Sequence, residues 1–186
     1  MSDAKLDRAT IVREALGLIR EEGPERFSMR RLGARLGVTA PTLYWHFPDK
    51  SSILREILKA LGSEAVDRVP PCVSWQEWLY RFAESLWRTT RESPFVMILL
   101  QSRELNDQEV FRAYIARLEN ALGQFPVPTG IWMRAHSDIQ ALVLGWSVWM
   151  QSGVTQRIGN MVDVENALME GVAAVIAHWE RKLPAA

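Results

Sequence analysis

The sequence predicts an all-α protein, an N-terminal three-helix domain carrying a helix-turn-helix followed by a larger helical domain. Three observations lead there. Apolar residues recur at helical spacing through every long segment, and no stretch alternates as a strand would. Gly-Pro, Pro-Pro and Ser-Pro steps punctuate the chain at helix-length intervals. Between Arg26 and Lys50, five cations stand against the single acid Asp49, in a chain of 186 residues whose formal charge is zero. A local basic patch on a neutral chain is the electrostatic footprint of a polyanion site.

Each element follows in order. From about Leu6 to Glu22, the residues Ile11, Val12, Ala15, Leu16 and Ile19 form one buried face, and Gly23-Pro24 stops the helix. Ser28 caps a short helix over about Met29 to Leu36, and Gly37 breaks it. Thr39 caps the next, with Pro41 tolerated in its first turn, and this helix runs to about Phe47-Pro48. Asp49 caps a fourth helix, about Lys50 to Arg68, before the break "VPPC". Later helices are expected at about Ser74–Arg91, Pro94–Leu105, Asp107–Leu122, Gly130–Ser152 and Val164–Lys182, with a loop from Val154 to Asp163. The domain division is 1–49 and 50–186, with the helix 50–68 connecting the two.

The second and third helices have the spacing of a helix-turn-helix. Leu32 and Leu36 share a face, Gly37 occupies the turn, and Val38 and Leu43 close the corner. In this motif the second helix enters the major groove of DNA. Leu43 and Phe47 take the inward positions of "TAPTLYWHF", so Tyr44, Trp45 and His46 face outward beside the basic patch. Thr42 suits a thymine methyl or a base-edge acceptor, and Tyr44 a base edge or phosphate. Trp45 and His46 suit phosphate or sugar. Arg30 reaches a guanine or a phosphate, and Lys50 with the amides opening the fourth helix forms a phosphate clamp. The bland alternative is a three-helix bundle with a partly exposed aromatic cluster.

The stretch "FSMRRLGARLGVTAPTLYWHFPDKSSIL", Phe27 to Leu54, resembles the DNA-binding region of the TetR family of transcriptional regulators. The resemblance covers roughly the first 55 residues. It implies a homodimeric all-α regulator with a variable C-terminal ligand domain, binding a double-stranded operator. It also implies DNA-contact roles at Arg30, Thr39, Ala40, Pro41, Thr42, Tyr44, Trp45, His46 and Lys50. Ala40 stands where a longer polar side chain often reads a base, so the operator of a relative cannot be copied to this chain.

Beyond residue 70 lie seven of the eight tryptophans. Trp75, Trp78, Leu79, Phe82 and Leu86 form an ordinary core face, with Trp87 off that stripe. In the long helix, Trp132, His136, Gln140 and Val143 run beside the main apolar stripe, mixing aromatic, imidazole and amide groups as a small-molecule pocket does. Met97 and Gln101, one turn apart, offer a second wall. Phe82, Trp87, Met97, Gln101, Trp132, His136, Gln140 and Val143 are therefore the candidate ligand residues, for a mainly apolar or aromatic effector. Taken singly, each is more often core or surface. Family members pair their last two helices into a four-helix bundle, and the resemblance assigns Gly145, Trp149, Leu168, Gly171, Val172, Val175 and Trp179 to that interface. Simple packing within one chain is the alternative.

Other functions find little support. There is no Ser-His-Asp setting and no HExxH, "GARLG" follows no strand, and His136 has no second ligand at metal spacing, so neither enzyme, metal nor cofactor is expected. Cys72 is the only cysteine, which fits a reducing cytoplasm. The start "MSDAKLDRAT" is not a signal peptide, and "ALVLGWSVWM" is too short to span a membrane. The leading expectation is a ligand-released repressor on a palindromic operator. A ligand-independent regulator or activator shares the motif, and a small-molecule-binding helical protein is the alternative of another class.

Overall fold

The computed structural model describes residues 6–105, 108–153 and 162–183, and among them every regular element is helical. The helices among the described residues are α1 (Arg8–Glu22), α2 (Met29–Leu36), α3 (Ala40–Tyr44), α4 (Lys50–Asp67), α5 (Trp75–Glu92), α6 (Val96–Gln101), α7 (Gln108–Leu122), α8 (Thr129–Gln151) and α9 (Val164–Glu180), with a 3-10 turn at Pro24–Arg26. The expected loop over 154–161 and the expected start of a helix at Asp107 lie outside the described residues.

The caps explain the boundaries. The Asp7 carboxylate accepts from Thr10 N–H at 2.7 Å, and Ser28 Oγ from Arg31 N–H at 3.3 Å. Asp49 opens α4 with a reciprocal cap, its carboxylate taking Ser52 N–H at 2.6 Å. Thr39 differs from expectation: its hydroxyl makes no cap bond and meets Thr42 Oγ1 at 3.0 Å instead. Regular α3 ends at Tyr44, with Trp45 and His46 in a turn in which the His46 and Phe47 N–H groups both donate to the Leu43 carbonyl oxygen, at 3.0 and 2.9 Å. The expected helix from Pro94 to Leu105 is regular only over Val96–Gln101. Ser102 turns extended, and Leu105 is buried among the N-terminal apolar residues.

Two apolar clusters make the core. The first joins α1, α2, α3 and the first three turns of α4 through Ile11, Leu32, Leu43, Phe47, Ile53 and Ile57. It also takes in Phe95, Val96, Met97 and Leu99, so α6 packs on the N-terminal helices despite its place in the chain. The second cluster begins at Ala65 and Val66 on α4 and runs through α5, α7, α8 and α9. One helix, α4, thus belongs to both.

Candidate nucleic-acid interface and effector cavity

Two glycines allow the turn between α2 and α3. Gly37 adopts φ 69°, ψ 25°, the left-handed region that penalises a Cβ. Gly33 admits the chain entering α3, since a Cβ there would lie 2.8 Å from the Val38 carbonyl oxygen. Leu43 and Phe47 are then fully buried. Tyr44 is 51% and Trp45 90% exposed, the latter a large apolar surface that the chain itself leaves bare. Thr42 and His46 are half-buried, Arg30, Thr39 and Pro41 exposed, and Ala40 leans against the N-terminal cluster. Lys50 lies with its ammonium 5.5 Å from the Phe27 ring centroid.

The basic patch is smaller than its sequence count. Arg35 forks onto Glu21 at 2.6 and 2.9 Å and reaches Glu14 at 3.0 Å, and its hydrogen bonds hold the Glu21 carboxyl below its ordinary value. Arg31 pairs with Glu22. Among the described residues, Arg26, Arg30 and Lys50 have no such acid partner, and they supply the patch's positive charge. A contact that sequence reading missed holds α3 from behind. Arg8 donates to the His46 carbonyl oxygen, and its guanidinium carbon stands 4.1 Å from the Phe47 ring centroid. No local pattern announces a bond across 38 residues.

The second site is a partly open cavity of about 540 Å³ lined by α4, α5, α6, α7 and α8. From α4 come Leu58, Leu61 and Gly62, from α5 Leu86, Thr89 and Thr90, and from α6 Val96 and Leu100. Phe111 and Tyr114 face it from α7, and Met133, His136, Gln140 and Leu144 from α8. Tyr114 Oη and His136 Nε2 share a hydrogen bond of 2.8 Å, with the Phe82 ring 4.8 Å from the imidazole. Burial pushes the His136 pKa down to about 4 and the Tyr114 phenol up, so both are neutral near pH 7. Lys59 is the lining cation, and it bonds Glu56 at 3.0 Å and Glu109. Burial works against its charge, but the two carboxylates outweigh that and raise its pKa. The wall is apolar with compensated charge, suited to a largely apolar guest with few polar groups.

Of the eight candidate ligand residues, His136 and Gln140 line this cavity. Phe82, Trp132 and Val143 are buried in the second cluster, and Met97 in the first. Gln101 is exposed, and Trp87 is buried toward a surface groove beside Arg88 and Met169. The cavity residues on α6 are Val96 and Leu100, one position before Met97 and Gln101, a rotation of about 100° about the helix axis. Tyr114 and the α4 wall carried no signal in the sequence, because each is an ordinary apolar position of its own helix.

The expected interface residues divide. Leu168 and Val172 are fully buried inside the chain, and a Cβ on Gly171 would meet Leu142 Cδ2 at 3.0 Å, so these three positions serve α8–α9 packing. Val175 is half-buried, and Trp179 donates Nε1–H to Asp138 at 2.8 Å. Gly145 and Trp149 are exposed on α8, together with Val148 and Met150.

Comparison with known proteins places this geometry. Residues 11–57 match the domain described as bacterial regulatory proteins, tetR family. The class C tetracycline repressor of Escherichia coli is 44% identical over 57 residues, 31% of this chain and 26% of that protein. An uncharacterised HTH-type regulator of Mycobacterium bovis is 26% identical over 135 residues, 72% of this chain and 51% of that protein. The chain thus matches between about a quarter and a half of these relatives' lengths. Over the whole fold, it resembles TetR-Q116A of Acinetobacter baumannii in complex with minocycline, with TM-score 0.70, 24% identity and coverage of 97% of this chain and 100% of that one. ActR of Streptomyces coelicolor in complex with actinorhodin gives TM-score 0.73 at 19% identity, covering 97% and 98%.

Proposed function

From the match of residues 11–57 to the tetR family domain and the fold shared with solved TetR structures, we propose that this chain is a TetR-family transcriptional regulator and a cytoplasmic repressor. It binds a palindromic operator as a homodimer and leaves it when a small, mainly apolar or aromatic effector fills the cavity. The observation that carries this reading is the span of α4. The helix contributes Ile53 and Ile57 to the cluster that supports α3, and Leu58, Leu61 and Gly62 to the cavity wall. A guest in the cavity bears directly on the helix that seats the DNA-binding face. Ligand need only prefer the state in which the two recognition helices no longer meet grooves about 34–36 Å apart or a multiple of it.

The DNA-contact set supported by geometry is the exposed Arg30, Thr39, Pro41, Tyr44 and Trp45, with Thr42, His46 and Lys50 at its edge. The dimer face is the exposed strip around Gly145 and Trp149 on α8. The proposed division at residue 49 marks where the DNA-binding domain ends, with α4 as the shared beam. Named relatives crystallised with minocycline and with actinorhodin support a small-molecule effector.

Selection from random DNA, followed by anisotropy titration, tests the reading. Recovery of an inverted repeat with half-sites about 10–10.5 bp apart or a multiple of it is expected. Recovery of no sequence, or of isolated half-sites, counts against it. For the cavity, the probe is N-phenyl-1-naphthylamine beside its sulfonated analogue 8-anilinonaphthalene-1-sulfonate. The neutral dye is expected to bind more tightly and to weaken operator binding. Preference for the sulfonate contradicts the neutral-guest assignment.

A further inference from the structure

We infer that Arg8 and Glu56 are positioning residues for the recognition helix, and that Glu56 shares its carboxylate with Lys59 of the cavity wall, so that cavity and DNA-binding face are joined by an ionic relay. The inference rests on the operator-binding reading above and names a route for its regulation.

The connections are consecutive. Arg8 donates to the carbonyl oxygen of His46, just past the C-terminal end of α3, where a short helix leaves its last carbonyls unpaired. The same guanidinium covers Phe47, the aromatic that anchors this turn in the core. Its Nη2 lies 3.8 Å from Glu56 Oε1. Lys59, one turn further along α4, reaches the same Oε1 at 3.0 Å and also bonds Glu109 on α7. Lys59 lines the cavity, and its side chain is only 17% exposed. One carboxylate oxygen therefore serves two cations, one behind the recognition helix and one in the cavity wall. A guest that shifts Lys59 or α7 changes how much of Glu56 is left for Arg8. Exposed pairs of this kind contribute little to global stability. Here the consequence is the fine orientation of a five-residue helix already anchored by Leu43 and Phe47.

The relay predicts effects opposite in sign to those of bulk charge. Removing an acid from a DNA-binding protein strengthens binding electrostatically, and removing a cation weakens it. Through the relay, Glu56→Gln releases Arg8 and weakens operator binding, whereas Lys59→Gln leaves Glu56 to Arg8 alone and strengthens it. The test is operator affinity by anisotropy across a salt series, on the sequence that the wild-type protein selects, with thermal unfolding as a check on each variant. Expected are a loss of about fivefold or more for Glu56→Gln, the lower end of typical coupling between sites, and an unchanged salt slope. Arg8→Gln should weaken binding comparably, and the double variant no more than the weaker single. Lys59→Gln should tighten binding in the wild-type background and have no such effect in Glu56→Gln. Glu56→Gln binding as well as wild type overturns the relay, as do losses that multiply in the double variant. A salt slope lower by about one in Arg8→Gln would make Arg8 a phosphate ligand instead, which also overturns it. A wild-type protein that selects no sequence sinks the operator reading itself, an outcome separate from all of these.

Discussion

Two groups of aromatics in this chain obey opposite rules. Tyr44 and Trp45 stand in solvent on a turn whose apolar anchors, Leu43 and Phe47, are fully buried. Phe82, Tyr114 and His136 meet in the interior, with ring centroids 4.8 and 5.7 Å apart around the imidazole. In the first group, the buried anchors Leu43 and Phe47 lie within four residues of the rings, which are left exposed. In the second, orientation follows from contacts between three helices, and the rings surround a space inside the chain. The difference teaches where local pattern suffices: a short helix pinned by two anchors has one way to face, whereas a cavity wall is assembled from separate helices.

Substitutions should break this contrast unequally. The largest effect is expected for Phe47→Ala, which empties a fully buried site and should cost about 3–5 kcal/mol in urea unfolding, with DNA binding lost alongside. A cost near zero would place Phe47 outside the core.

Acid should act on the interior group alone. The His136 pKa is about 4 in the fold against 6.5 in the unfolded chain. From pH 6.5 down to about 4, the unfolded state binds more protons, so the unfolding free energy falls as pH falls. The loss is about 3 kcal/mol in total, and His136→Gln should remove that component of the slope. An identical pH profile for wild type and His136→Gln would contradict the burial of a neutral imidazole.

The outer group should separate function from stability. Trp45→Ala is expected to leave the unfolding midpoint within about 0.5 kcal/mol of wild type. Operator affinity should fall by about tenfold, or about 1.4 kcal/mol, the scale of a single lost contact. Tyr44→Ala and Lys50→Ala should follow the same pattern. If all three bind DNA as wild type does, this face is not the interface. The smallest effect is expected for Tyr114→Phe, which forfeits the 2.8 Å bond to His136 and costs about 1 kcal/mol in stability. Its clearer readout is dye affinity in the cavity, which should change while operator affinity of the free protein does not.

The sequence by itself determined most of the helices, the caps at Ser28 and Asp49, the turn at Gly37 and the inward choice of Leu43 and Phe47. These depend on spacing, capping chemistry and backbone conformation, which act over a few residues. Tertiary structure decided the rest. It neutralised Arg31 and Arg35 against acids of α1, shrinking the patch to Arg26, Arg30 and Lys50. It folded Met97 into the N-terminal core and turned Val96 and Leu100 toward the cavity. It brought Tyr114 to His136 and Arg8 to His46, pairs separated by 22 and 38 residues. The physical reason is the same in each case. A helix's own period shows which residues share a face, but only the helices packed around it decide whether that face meets core, cavity or solvent.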